Sequence, residues 1–310
     1  MGETMARPRA PELLHYRPWT GTFRGPWASV WPIARVALGM LFRRRLFWVL
    51  YALSLMIFLL FFFGQYLLAF AEVQATPSKG EFDPRAIVGF LRGLLDLNGS
   101  GKTYRTFLEY QGHMVMIVLA LAGSILVGND IRLGSMAFYL SKPLSRRHYL
   151  LGKAVAVAVF INLMTTVPAV VLFVQYGLLD SWRYFYEHGN LFFGILGYGA
   201  VLTVCLSLLL IASAMWLRST VPLIMMWTTL FLFFRLLARA FVVDLHFHPR
   251  WRLFDLWNDM FLIGSRCLGM GTAKDIFQPA LHEAALVLGG VTLLCLTYLI
   301  LRIRAVEIVK

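Results

Sequence analysis

Six stretches of this sequence are apolar for about as long as an α-helix needs to cross a bilayer, roughly 20 residues, and that pattern excludes most other folds. They fall at about 46–71, 114–129, 152–174, 191–217, 221–243 and 284–301. The first is interrupted only by Ser54, Gly64 and Gln65, and the second, the shortest, is extended by Gln111 to His113. The third contains Pro168, which neighbouring helices can accommodate inside a membrane. Composition agrees: 59% of the 310 residues are hydrophobic and 15% charged, with a mean hydropathy of +0.69, whereas soluble chains carry about a quarter charged residues. The predicted fold is all-α and polytopic, with the fourth and fifth runs joined as a hairpin across Arg218, Ser219 and Thr220.

The formal charge of +13 would suggest nucleic acid in a soluble chain, but here its distribution over the loops decides orientation. Residues 1–45, 128–153, 218–220 and 302–310 hold 17 basic and 4 acidic residues, and residues 72–113, 175–190 and 244–283 hold 10 basic and 12 acidic. The positive-inside rule therefore predicts both termini in the cytoplasm, with tails at 1–26 and 302–310, and membrane lipid rather than nucleic acid as a partner. No cleaved signal is expected, because the first apolar run starts late and is too long. Cys205, Cys267 and Cys295 lack disulfide or metal spacing. No metal site is expected.

Trp27 to Arg45 combines aromatic and aliphatic residues with Arg35, Arg43, Arg44 and Arg45, which suits an amphipathic helix lying in the cytoplasmic interface. The arginines also serve as the orienting flank of the first run; the two readings are compatible. Between the fifth and sixth runs, Leu253 to Leu268 is apolar but interrupted by Asp255, Asp259 and Arg266. Short interfacial or re-entrant extracytoplasmic helices are predicted there.

The most patterned loop is GNDIRLGSMAFYLSKPLSRRHYLLGK, Gly128 to Lys153. Ile131, Leu133, Met136, Ala137 and Leu140 form a stripe at near-helical spacing, Pro143 ends that helix, and Ser145 is placed as the N-cap of the next. Asp130, Gly134, Ser135, Pro143, Ser145, Arg146, Gly152 and Lys153 make this segment resemble the cytoplasmic loop of ABC-2 type transporter permeases, with Asp130 where that family more often has Glu. The six-run layout, the amphipathic helix before the first run and the long segment before the last are similar as well.

The resemblance implies a coupling loop at 130–150 and contact with a cytoplasmic ABC ATPase through Asp130, Arg132, Gly134, Ser135, Lys142, Pro143, Ser145, Arg146, Arg147, Gly152 and Lys153. It implies a permease domain over 27–301 that pairs with a second copy or a sister permease in a prokaryotic inner membrane. It also implies no cofactor on this chain, ATP and Mg residing on the partner. An exposed apolar stripe on a charged loop calls for a covering groove; the plainer reading packs the stripe on its own bundle.

Asn98 to Thr103 reads NGSGKT, like the end of a phosphate-binding loop, but the position five before Gly101 is Asp96 where that motif needs glycine. It is read as coincidence, and its sequon Asn98-Gly99-Ser100 matters only in a eukaryotic secretory setting. Arg235 and Arg239 lie one turn apart on the fifth run, where they could attract an anionic group or snorkel to the interface, the preferred reading. His246 and His248 lack a third ligand. HExxH and GxSxG are absent, and no paired Asp motif falls on a cytoplasmic helix boundary, so the chain is not expected to be an enzyme. A stand-alone channel or secondary transporter would carry ionisable residues near the midplane or paired discontinuous helices, and a non-transporting envelope scaffold driven by an ATPase is the third class.

Overall fold

The computed structural model describes residues 26–73, 89, 93, 97–123, 146–217, 219–271 and 277–302. Among the described residues every regular element is helical. α1 (Val30–Phe42) buries Ile33, Ala34, Ala37, Leu38 and Leu41 and exposes Trp31, Arg35 and Val36, the stripe expected of an interfacial helix. α2 (Arg45–Val73) follows a short elbow, pinned where Trp48 Nε1 donates to the Phe42 carbonyl at 2.8 Å. α3 (Gly101–Gly123) returns along α2, then α4 (Arg146–Met164) and α5 (Thr166–Asp180) run as one long rod, followed by the short α6 (Trp182–Glu187). α7 (Gly189–Leu217), α8 (Thr220–Asp244), α9 (Leu256–Cys267) and α10 (Leu281–Arg302) complete the chain.

Five of these stretches are long and apolar enough to cross a membrane: Arg45–Phe70, Arg147–Asp180, Gly189–Leu217, Thr220–Asp244 and Leu281–Arg302. The protein is therefore a polytopic helical membrane protein. Half of the apolar 18-residue stretch is buried within the bundle in the rods at 147–180 and 189–217, against 17%, 22% and 17% in those at 45–70, 220–244 and 281–302. The last three turn rows of leucine and phenylalanine outward, a surface that lipid tails cover and water would not tolerate.

The predicted second run falls within α3 only as far as Gly123, and the rest of it lies outside the described residues; α3 begins at Gly101, taking in Lys102, Arg105, Glu109 and His113 before the apolar stretch. The third run also extends further, to Asp180. Pro168 has no N–H to return to the Met164 carbonyl, and the rod breaks at Thr165, whose hydroxyl donates to the Ile161 carbonyl at 2.8 Å. α8 is continuous but contains two π turns, Thr229–Phe233 and Ala240–Asp244, a local widening frequent at functional positions.

Polar side chains bond the rods together. Ser54 Oγ donates to Gln111 Oε1 at 2.5 Å while Gln111 Nε2 donates to the Ser54 carbonyl at 2.9 Å, joining α2 to α3. Gln175 Nε2 reaches the Phe62 carbonyl at 2.9 Å, Asn162 Nδ2 reaches Thr203 Oγ1 at 2.9 Å, and Trp227 Nε1 reaches Ser213 Oγ at 3.2 Å. Interhelical bonds of this kind contribute about 0.6–2 kcal/mol each inside a membrane.

Candidate functional site

Asp130, Arg132, Gly134, Ser135, Lys142, Pro143 and Ser145 lie outside the described residues, as does the Arg146 side chain. The described part of that segment is the first two turns of α4. Arg147 is exposed, whereas Gly152 is buried and Lys153 is only 2% exposed, its Nζ 5.9 Å from the centre of the Tyr149 ring. A Cβ at Gly152 would stand 2.7 Å from Ile33 Cγ2 and 3.2 Å from the Val30 carbonyl. Glycine at 152 thus lets α1 lie directly on α4, and the Trp27 and His148 rings close the same seam at 4.8 Å. Arg35, Arg43, Arg44 and Arg45 are all exposed on this plate. Arg44 and Arg45 also line a hollow of about 410 Å³ with Val118 of α3 and Thr220 of α8, so these helix ends share one end of the bundle.

A second concentration of polar groups joins α3, α8 and α9. His113 Nδ1 faces the Glu109 carbonyl at 2.6 Å and must donate to it, which leaves Nε2 as the acceptor for the Arg235 guanidinium. Arg235 Nη2 lies 3.8 Å from Glu109 Oε1, with the two side chains 39% and 33% exposed. The His113 ring also rests against Trp257 at 4.8 Å, beside Gly112, where a Cβ would come within 2.1 Å of that indole. Arg235 therefore meets partners on α3, while Arg239 is exposed and forms no ion pair among the described residues. The hollow between α3 and α8, about 360 Å³, has His113 and Arg235 among otherwise mainly apolar walls.

α9 continues this polar region. Asp255 caps it, accepting from the Trp257 and Asn258 amides at 3.1 and 3.2 Å. Burial pushes the Asp255 carboxyl up, opposed by those amides and by the charges of Arg235 and Arg252. One turn on, Asp259 is 0% exposed, and neither oxygen has a hydrogen-bond partner among the described residues. Burial, with a smaller contribution from Asp255, pushes its carboxyl up to about 8.

At the opposite end from α1, NGSGKT is the cap of α3. Asn98 Oδ1 accepts from the Ser100 amide at 3.3 Å, the Ser100 hydroxyl at 2.6 Å and the Thr103 hydroxyl at 3.1 Å. Ser100 Oγ in turn accepts from the Lys102 amide at 3.3 Å. Gly99 has φ 64°, and a Cβ there would collide with the Tyr176 ring at 2.2 Å. The motif's small polar residues thus serve the helix start and its docking against α5. His248 also bonds locally, its Nδ1 accepting from the Arg250 amide at 3.2 Å. His246 holds φ 57° at the end of α8.

Glu109, His113, Asp255 and Asp259 were not legible as one site, since they lie far apart in sequence. The usable signal was the Asn98–Ser100 cap, which starts α3 early enough to carry Glu109 and His113 into the bundle. Arg235→Met is expected to destabilise the protein by about 1–2 kcal/mol, discounted for partial exposure. Glu109→Gln added to it is expected to recover part of that loss by removing the orphaned acid. Thermal unfolding in detergent reads both, and a double variant no better than Arg235→Met would assign the loss to the arginine stem's packing.

No protein-family model matches the chain, and comparison with curated proteins finds no relative.

Proposed function

We propose that the chain is the permease subunit of an ABC-2 type transporter, forming the translocation path and receiving force from separate cytoplasmic ATPase subunits. The observation that carries this reading is the Asp130–Lys153 segment, whose residues resemble the permease coupling loop and whose last part is the start of the long bundle helix α4. The seat of α1 on Gly152 supports it, because a push on the loop would reach α4 and the interfacial helix together.

In this reading the apolar run at 114–129 makes the sixth crossing, and α9 with the Pro249–Phe254 turn re-enters from the outer face. Both termini lie in the cytoplasm of a prokaryote, bounded by the inner membrane. A second copy or a sister permease closes the hollow between α3 and α8. ATP and Mg bind on the partner, and this chain is not itself an enzyme.

The test is to purify the full chain from membranes of its own host and assay Mg-ATP hydrolysis in the eluate. The expected result is a co-purifying ATP-hydrolysing subunit, its recovery reduced at least about tenfold, or 1.4 kcal/mol, by Arg146→Glu. A wild-type chain that purifies without ATP hydrolysis overturns the reading.

The Glu109–His113–Arg235 cluster and the two π turns of α8 favour a second reading, a secondary transporter. Solute movement driven by a pH gradient in vesicles containing this chain alone would select it. The scaffold alternative predicts ATPase recovery without solute movement.

A further inference from the structure

We propose that the cavity of about 600 Å³ between the start of α3 and the end of α9 binds a phosphate-bearing anion, presented by a lipid headgroup or by a free phosphate ester. Its lining brings Lys102 and Arg105 together from one face of α3, with Asn98, Ser100, Ser265 and Gln278 as the other polar side chains. No carboxylate lines it among the described residues. Arg105 is also poised without a counter-ion among those residues. Its guanidinium carbon lies 5.2 Å from the centre of the Phe261 ring, and its Nε is shielded from solvent with no hydrogen-bond partner among the described residues.

The aromatic face holds the guanidinium plane in place, and a planar fork is the group best suited to grip two phosphate oxygens. The helix end adds little, because the Lys102 and Thr103 amides already donate to Ser100. Attraction therefore rests on the two cations. The lining also includes Phe261, Leu262, Leu268 and Met270, so the cavity suits an anion attached to a carbon skeleton more than a fully hydrated inorganic ion. The site does not depend on the transporter reading.

The test uses the full chain in detergent, titrated by thermal shift with phosphatidylglycerol in mixed micelles, with glycerol 3-phosphate, and with diacylglycerol. A saturable rise in unfolding temperature with phosphatidylglycerol alone assigns a lipid headgroup, and a rise with glycerol 3-phosphate as well assigns a free ester. Diacylglycerol, which lacks phosphate, is expected to do nothing. Lys102→Gln and Arg105→Lys are each expected to weaken binding several-fold, and the pair at least about tenfold. Arg105 braces Phe261, so Lys102→Gln, at an exposed position, keeps the test independent of folding. Failure of both phosphate probes with the wild type, equal stabilisation by diacylglycerol, or unchanged affinity in Lys102→Gln overturns the proposal.

Discussion

Asp259→Asn is expected to abolish a loss of stability that the native protein undergoes as pH rises from about 4 to about 8. The Asp259 carboxyl is enclosed in α9 without a hydrogen bond among the described residues, and burial moves it from 3.8 to about 8, with Asp255 adding to the shift. Below the lower value both folded and unfolded chains carry the proton, so the full stability is present. Between the two values only the folded chain retains it, and each pH unit costs about 1.4 kcal/mol. The loss is complete once pH passes the folded value. Asparagine keeps the shape and never ionises, so the variant should match the parent near pH 4 and exceed it at pH 8 by on the order of several kcal/mol. Thermal unfolding of the detergent-solubilised protein at pH 4.5, 6 and 8 reads this directly. Parallel curves at all three values would mean that a cation pairs with Asp259 in the folded protein.

Ionisable groups enclosed among membrane helices are costly, so the Asp259 carboxyl, without a hydrogen bond among the described residues, makes α9 more than a connector. Asp259 lies one turn from Asp255, which feels the charge of Arg235, and Arg235 bonds His113. The polar region is thus continuous from α8 through α3 to the short helix.

The parts of this fold most legible in the sequence are those governed by a length requirement. The runs beginning near Leu46, Leu191 and Ala284 had to be helices, because a lipid-facing backbone has no other way to satisfy its N–H and C=O groups. α3 starts well before the apolar run at 114–129, since Lys102, Arg105 and Glu109 weigh against an apolar average even though they sit inside one continuous helix. The local signal was Asn98 and Ser100, residues whose short polar side chains supply the bonds a helix start lacks. Asp255 is legible in the same way as the cap of α9. The burial of α9 is not, because it depends on glycines 194 and 264 of two elements meeting across the bundle. The π turns of α8 have no sequence mark that we can identify.

Gly194→Val is expected to unseat α9 and cost about 3 kcal/mol, the upper part of the range for overpacking a well-filled core. A Cβ at position 194 would stand 2.6 Å from the Cys267 carbonyl oxygen and 3.0 Å from Leu268 Cα. Both are backbone atoms at the end of a helix, so no side chain can turn aside, and relief requires α9 to move as a body. The rest of the seam opposes that movement. Gly264 receives the Tyr198 ring, which would lie 2.2 Å from an added Cβ, and at the far end of α9 Trp257 is wedged against Gly112. Displacing α9 would also carry Phe261 and Ser265 away from Arg105, so phosphate binding should fall along with the unfolding temperature.

Gly289→Ala is the matched control. It lies within α10 with nothing inside 4 Å of an added Cβ, and replacing an unhindered helical glycine with alanine stabilises by up to about 1 kcal/mol. Opposite signs at 194 and 289 in thermal unfolding would locate the effect in the α7–α9 approach. A shared sign would show that helix propensity dominates and that α9 is free to shift.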